Sequence, residues 1–172
     1  MKKFLALLLS AMLLCGCIAM AEEAPAGLTK NVIVLFTSDV HAGIDQGWGY
    51  IGLAAIRDGL QANNHVVLVD NGDAIQGETI GTLTNGKAVV ELMNAVGYDV
   101  AVPGNHEFDY GMTNFLTLAN EVANYPYVSA NFTYKDQPVF NPYVIKEFDG
   151  VKIAACFCYN VYIFHFISLF LL

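Results

Sequence analysis

Three short apolar segments, separated by amphipathic stretches, constrain the fold of this chain more than any other feature. They are NVIVLFT (residues 31–37), HVVLVD (65–70) and DVAV (99–102). Their β-branched residues are apolar on both faces, as in the buried strands of a parallel sheet. A stretch with helical periodicity follows each of them. This alternation predicts an α/β fold with a mainly parallel βαβαβ core and right-handed crossovers.

The helical stretches are recognised by apolar residues that recur on one face. Their spacing is typical of helices that pack on a core. The three stripes are Leu53, Ile56 and Leu60; Val89, Leu92, Met93 and Val96; and Phe115, Leu118, Ala119 and Val122. Three more segments, 126–130, 142–148 and 151–155, predict strands, and the last two are joined by an Asp-Gly turn at 149–150.

Each of the three apolar strands runs into a polar loop. Asp39 and His41 follow the first strand, the segment DNGD (70–73) ends the second, and PGNHEFD (103–109) follows the third. Ligands of open α/β sheets bind beyond the carboxyl ends of the strands, so we expect the three loops to converge at one edge. A single Asp-x-His pair is common by chance. The prediction of a site therefore depends on this convergence.

The expected cluster combines carboxylate, imidazole and amide groups. Such a set suits a divalent ion of intermediate hardness, for example manganese, iron or zinc. Asp73 follows Gly72, and Asn105 and His106 follow Gly104, so the backbone can turn sharply at both places. Two such ions about 3.5–4 Å apart can bind a phosphoryl oxygen and stabilise an in-line displacement at phosphorus.

The motifs D-x-H (39–41), G-D (72–73) and G-N-H-E (104–107), in this order, resemble those of the calcineurin-like metallophosphoesterases. The run NGKAVVELMNAVGYDVAVPGNHEFDYG (85–111) is similar to one branch, the exported bacterial 5′-nucleotidases with their UDP-sugar hydrolase and 2′,3′-cyclic-nucleotide phosphodiesterase relatives. The likeness covers roughly residues 30–155. It implies a partial domain, the N-terminal part of an α/β/β/α sandwich.

The resemblance also implies a hydrolase with two divalent metal ions (Mn, Zn, Fe or similar) in the complete enzyme, acting on a small nucleotide or another phosphate ester. Asp39 and His41 match ligands of the first ion. Asp73 matches the carboxylate that bridges the two ions. Asn105 matches a ligand of the second ion that also binds the substrate.

His106 matches the catalytic histidine, which also binds the substrate and either stabilises the transition state or helps the leaving group. Asp109 matches its orienting partner, since an adjacent carboxylate holds an imidazole in one tautomer and favours its charged form. Of the other polar residues, Asp70 and Glu107 are interpreted as supports of their loops, and His65 as a solvated loop residue.

The first residues, MKKFLALLLSAMLLCGCIAMAEE, have the basic start, apolar run and small residues of a secretory signal peptide, which we assign to residues 1–21. Two cleavage sites are open. AMA (19–21) fits the small-x-small rule, whereas LCGC (14–17) resembles a bacterial lipobox and would make Cys17 a lipidated first residue. Both predict export, to the periplasm, to the exterior, or to a membrane surface through a lipid on Cys17.

The formal net charge of −8 makes nucleic acids and anionic membranes poor partners. A bound cation can reverse the local field, so a small phosphorylated substrate remains compatible with this charge. The four cysteines, two of them in the predicted signal peptide, imply no disulfide framework.

Residues 156–172 form an atypical apolar tail, because no Asp, Glu, Lys or Arg follows Lys152. We interpret the tail as the product of a frameshift or truncation, with a membrane-associating segment or a short sheet strand as alternatives. The resemblance implies three more histidine ligands, but the only histidine after His106 is His165, which lies in neither expected motif.

These features predict that the chain as written has little or no phosphoesterase activity and poor solubility. At most one ion would be held, and weakly. The alternative is a non-catalytic exported binding or surface protein with a degenerate metallophosphoesterase fold.

Overall fold

The computed structural model describes residues 27–156 and, for the backbone alone, residues 157 and 167–171. Its first sheet contains β1 (Val32–Thr37), β2 (His65–Asp70) and β3 (Val100–Ala101) in this spatial order, and all three strands are parallel. The parallel βαβαβ core predicted from the apolar segments is therefore confirmed. The carboxyl ends of the three strands lie at one edge of the sheet, because Thr37 pairs with Asp70 and Asp70 pairs with Ala101.

Helices cover one face of this sheet. They are α1 (Gly49–Gln61), α2 (Thr79–Thr84), α3 (Lys87–Val96) and α4 (Met112–Thr117), the last continued by a π-helical turn, Leu118–Val122. The second and third predicted stripes supply buried contacts, since Val89, Met93 and Phe115 are fully buried, whereas Leu53, Ile56 and Leu60 of the first stripe are half-buried. Helix α3 ends at Val96 and is capped by Gly97, whose φ of +83° is a left-handed conformation that favours glycine after a helix.

An antiparallel sheet covers the other face. It consists of β6 (Tyr143–Phe148), β7 (Val151–Phe157) and β8 (Ile167–Leu171), in the order β6-β7-β8, and a separate hairpin pairs β4 (Thr133–Tyr134) with β5 (Gln137–Pro138). Alternate residues of β2 face the two layers. Leu68 packs with the helices, whereas Val67 and Val69 pack with Ala155 of the second sheet. The resulting helix, sheet and sheet layers agree with the predicted part of an α/β/β/α sandwich.

Two local predictions are wrong. Residues 126–130 do not form a strand, because only Tyr127 and Val128 make isolated bridges, to Ala101 and Asn141. His65 is not a solvated loop residue. It is the first residue of β2, its side chain is only 18% exposed, and its Nε2 lies 2.9 Å from the Asp149 carboxylate in the β6–β7 turn. A turn distant in sequence folds over this histidine, which periodicity within β2 does not reveal.

The predicted signal peptide (1–21), the lipidation candidate Cys17 and His165 lie outside the described residues. Of the predicted tail (156–172), the backbone of 167–171 forms β8 and pairs with β7. Within the described ranges, no helix combines the length and the apolar character needed to cross a membrane.

Candidate metal centre

The loop after β1 is fixed alongside the loop after β2. The backbone N–H of Asp39 donates to the Gly72 carbonyl over 3.0 Å, and that of His41 donates to the Asp73 carbonyl over 2.9 Å. Asp39, His41 and Asp73 have φ values of +55°, +48° and +58°. Residues other than glycine adopt this left-handed backbone conformation at a cost of about 1–3 kcal/mol, and such strain clusters at functional sites.

The loops after β2 and β3 touch through their glycines. A Cβ atom on Gly72 would lie 2.7 Å from the Gly104 nitrogen, and one on Gly104 would lie 2.7 Å from Cγ of Asp73. Contacts this short mean that a side chain at either position would force the two loops to shift. The Asp73 carboxylate, which is only 3% exposed, instead accepts a 2.7 Å hydrogen bond from the His106 backbone N–H through Oδ1.

Glu107, which belongs to the loop after β3, holds that loop and the loop after β2 together. Its carboxylate is fully buried and accepts three backbone hydrogen bonds, from Asp73 and Gly104 at Oε2 and from Ala74 at Oε1. Burial raises the pKa of Glu107, and the three N–H donors offset part of this effect. The interpretation of Glu107 as a loop support is confirmed.

Asp70 supports the start of the second loop. Its Oδ1 accepts a hydrogen bond from the Thr37 hydroxyl at 2.9 Å, and its Oδ2 accepts one from the Gly72 N–H at 3.0 Å. Burial is the main cause that raises the pKa of Asp70 to about 8, and repulsion from the nearby Glu107 carboxylate is the second. The interpretation of Asp70 as a residue that makes loop hydrogen bonds is likewise confirmed.

His41, Asp73 and His106, one from each loop, form a cluster whose ligand atoms all lie within 4.8 Å of one another. The imidazole rings of His41 and His106 meet edge to face, with their centroids 5.1 Å apart. Two atoms bound to one ion at about 2.0–2.2 Å can lie at most about 4.4 Å apart. The 4.8 Å limit is only slightly above this separation, so small side-chain rotations would let members of this set share a divalent cation.

Each histidine has a partner for its Nδ1 atom. Nδ1 of His106 lies 2.8 Å from Oδ2 of Asp109, the predicted orienting residue, and this hydrogen bond raises the pKa of His106. Nδ1 of His41 lies 3.2 Å from Oε1 of Gln76. Sequence reasoning missed Gln76, because a neutral residue three positions after Asp73 carries no signal of its own.

Asp39 and Asn105 lie on the same loops but are exposed. Asp39 is not a member of the three-residue cluster, and its Oδ2 accepts a short hydrogen bond from the Ser38 hydroxyl. Asn105 directly precedes the short 3-10 turn that carries His106. The ligand roles of both residues therefore remain predictions.

Comparison with known proteins places this geometry in a family. A family model described as calcineurin-like phosphoesterase matches residues 33–166. The chain is 34% identical to a snake venom 5′-nucleotidase of Gloydius brevicauda, over 87% of this chain and 28% of that protein. It is 35% identical to a 2′,3′-cyclic-nucleotide 2′-phosphodiesterase/3′-nucleotidase of Salmonella typhimurium, over 80% of this chain and 24% of that protein.

Among solved structures, the chain resembles the NAD nucleotidase of Haemophilus influenzae, with a TM-score of 0.61 and 30% identity over 70% of this chain and 28% of that one. The chain thus spans about a quarter of the length of these three relatives. The family match covers most of the described residues. It includes the three loops that place an aspartate and two histidines at one edge of the sheet. The chain belongs to the calcineurin-like phosphoesterase family.

Proposed function

We propose that this chain carries the N-terminal part of a metal-dependent centre that hydrolyses phosphate esters of nucleotides. The observation that carries the proposal is the convergence of His41, Asp73 and His106 from three separate loops on one point. Nucleotides are favoured as substrates because the relatives named above are nucleotidases and a cyclic-nucleotide phosphodiesterase.

In this proposal Asp39, His41, Asp73 and Asn105 would hold divalent ions such as Mn²⁺, Zn²⁺ or Fe²⁺. When bound, the ions would polarise the phosphoryl group and activate water for attack at phosphorus. Asp73 is suited to bridge two ions because its carboxylate lies between the first and third loops and is fixed by the His106 N–H. Asn105 and His106 would contact the phosphate group, since both follow the turn at Gly104.

We assign the role of proton donor to His106. Its Nδ1 is held by Asp109, which leaves Nε2 for the substrate. The same hydrogen bond raises the pKa of His106 and so favours the charged imidazolium. In this assignment His41 and Asp73 are the members of the cluster that would bind metal, and His106 stands beside them to donate a proton and stabilise charge.

Export belongs to the proposal as well. The basic and apolar residues 1–21 would direct the chain across a membrane, and a lipid on Cys17 would hold it at the surface. A nucleotide phosphohydrolase outside the cytoplasm would release phosphate and a nucleoside from external nucleotides.

The proposal is tested by measuring phosphate release from AMP and the conversion of 2′,3′-cyclic AMP into 3′-AMP, with Mn²⁺ or Zn²⁺ added. This chain is compared with a version extended at its C-terminus by the downstream coding sequence, and each is compared with its His106→Ala variant. We expect metal-dependent release from the extended version that falls in the variant. No release from either version would overturn the enzyme assignment and favour a non-catalytic exported binding protein.

A further inference from the structure

We infer that Gln76 is a positioning residue that fixes the tautomer and the orientation of His41. Nδ1 of His41 lies 3.2 Å from Oε1 of Gln76. Because an amide oxygen can only accept, this contact would place the proton on Nδ1 and leave the lone pair of Nε2 free for a metal ion. The inference rests on the proposed function, because it gives His41 the role of a metal ligand.

The segment from Asp73 to Glu78 surrounds His41 on several sides. The His41 backbone N–H donates to the Asp73 carbonyl over 2.9 Å, and the His41 carbonyl accepts from the Glu78 N–H over 3.0 Å. Gly77, with φ of +132°, approaches so closely that a Cβ atom there would lie 2.9 Å from Cβ of His41. The backbone of His41 is therefore held at its nitrogen and at its carbonyl by the loop that also presents Gln76.

The Gln76 side chain is itself placed by this loop. Ile75, the preceding residue, is fully buried in the helix-facing core and anchors the segment. Gln76 is half-buried beside the His41 ring. The opposite constraint on that ring comes from His106, whose imidazole meets it edge to face at 5.1 Å. With the backbone of His41 held, the position of the ring proton, on Nδ1 or on Nε2, depends on the partner that each nitrogen meets.

The proposal assigns that choice to the amide oxygen of Gln76, which is the atom that faces Nδ1. A neutral imidazole offers a lone pair on one nitrogen only, and the partner of the other nitrogen decides which one. An amide oxygen can only accept, so contact with Oε1 requires the proton on Nδ1. Partners of this kind raise metal affinity by about 10- to 100-fold in proteins with histidine ligands. Gln76 would thus prepare His41 before an ion arrives.

The test uses the full chain labelled with ¹⁵N in its four histidines, observed by NMR at a pH high enough to give the neutral ring of His41. Gln76→Met removes the amide acceptor at similar length, and Gln76→Glu keeps an acceptor oxygen. A His41→Ala variant identifies the His41 signals. We expect the Nδ1–H tautomer in the parent chain and in Gln76→Glu, and a shift towards the Nε2–H tautomer in Gln76→Met. A tautomer unchanged in Gln76→Met overturns the inference.

Zn²⁺ titration of the same proteins by calorimetry gives the second readout. We expect Gln76→Met to weaken Zn²⁺ binding by about 10- to 100-fold, while Gln76→Glu binds at least as tightly as the parent chain. Equal affinity in the parent and Gln76→Met, with binding lost in His41→Ala, overturns the inference alone. Binding that is absent in the parent, or unaffected by His41→Ala, overturns the proposed metal centre and the inference with it.

Discussion

The backbone N–H of His106 donates a 2.7 Å hydrogen bond to Oδ1 of Asp73. The residue proposed to donate a proton is therefore fastened to the carboxylate proposed to bridge two metal ions. Both are also tied to Glu107, which accepts from the Asp73 N–H and follows His106 in the chain. Any change that moves the loop after β3 should consequently also move the Asp73 carboxylate in the loop after β2.

Gly104→Ala tests the contact between these loops. The new methyl group would lie 2.7 Å from Cγ of Asp73, so the carboxylate or the loop must move. We expect metal binding, measured by calorimetry with Mn²⁺, to weaken strongly. The control is Gly59→Ala in helix α1, where a Cβ meets no atom within 4 Å and alanine favours the helix by about 0.5–1 kcal/mol. Equal Mn²⁺ affinity in the two variants would show that the close approach has no role in the site.

Glu107→Gln tests the buried support. The amide keeps one acceptor oxygen but turns an NH₂ group towards backbone N–H donors, so at least one buried hydrogen bond is lost. We expect the free energy of unfolding in urea to fall by about 1–3 kcal/mol. Glu121→Gln, at an exposed position, is the control and should change it little. If both variants unfold alike, Glu107 does not hold the loops.

Asp109→Asn tests the partner of His106. The hydrogen bond from His106 to the Asp109 carboxylate is the main cause of the raised histidine pKa, so the neutral amide should lower that pKa. An NMR titration of the His106 ring in the metal-free chain measures it, with Asp45→Asn as an exposed control. If His106 donates a proton, the basic limb of the pH–rate profile moves to lower pH in the variant. A His106 pKa that stays in place would refute the pairing.

Asp149→Asn tests the contact between the β6–β7 turn and the parallel sheet. The Asp149 carboxylate accepts hydrogen bonds from the Thr29 N–H and hydroxyl and from His65, and these lower its pKa. A lowered carboxyl pKa stabilises the fold above the unfolded value of about 3.9, and this stabilisation is lost as the pH falls through the folded value. We expect the variant to be less stable than the parent at pH 7, with the difference shrinking below about pH 4.

The control for this experiment is Asp136→Asn. Asp136 also occupies a turn with positive φ (+60°, against +52° for Asp149), so the backbone requirement is matched. Thermal unfolding followed across the pH range compares the three proteins. A pH-independent difference for Asp149→Asn, or an equal effect of Asp136→Asn, would contradict the charge-based account.

The strands and helices of the parallel core could be predicted because their own side chains encode them. Buried β-branched runs and the stripe from Val89 to Val96 report packing that is local in sequence. The prediction of a strand at 126–130 is wrong because the apolar residues of this segment are buried mainly by side-chain packing, with backbone bridges only at Tyr127 and Val128. Pairing partners are set by tertiary structure, which composition does not specify.

The site could be predicted only in part for the same reason. The three loops were recognised from polar residues that follow strands, and His41, Asp73 and His106 do meet. Gln76 was missed and His65 was misjudged because their partners, the His41 ring and the Asp149 turn, are 35 and 84 residues away. The exposed positions of Asp39 and Asn105 also depend on loop conformation, which residue type alone does not determine.

The most direct test of the central claim is a calorimetric titration of Mn²⁺ into the full chain and into its Asp73→Asn variant. Asparagine has the shape of aspartate and can still accept the His106 N–H, so the loops should stay in place while the charge is removed. The account predicts binding by the parent chain and an affinity at least about tenfold lower in the variant, which is 1.4 kcal/mol of binding free energy. Equal affinity in the two proteins, or no binding by the parent, would contradict a metal centre built on Asp73.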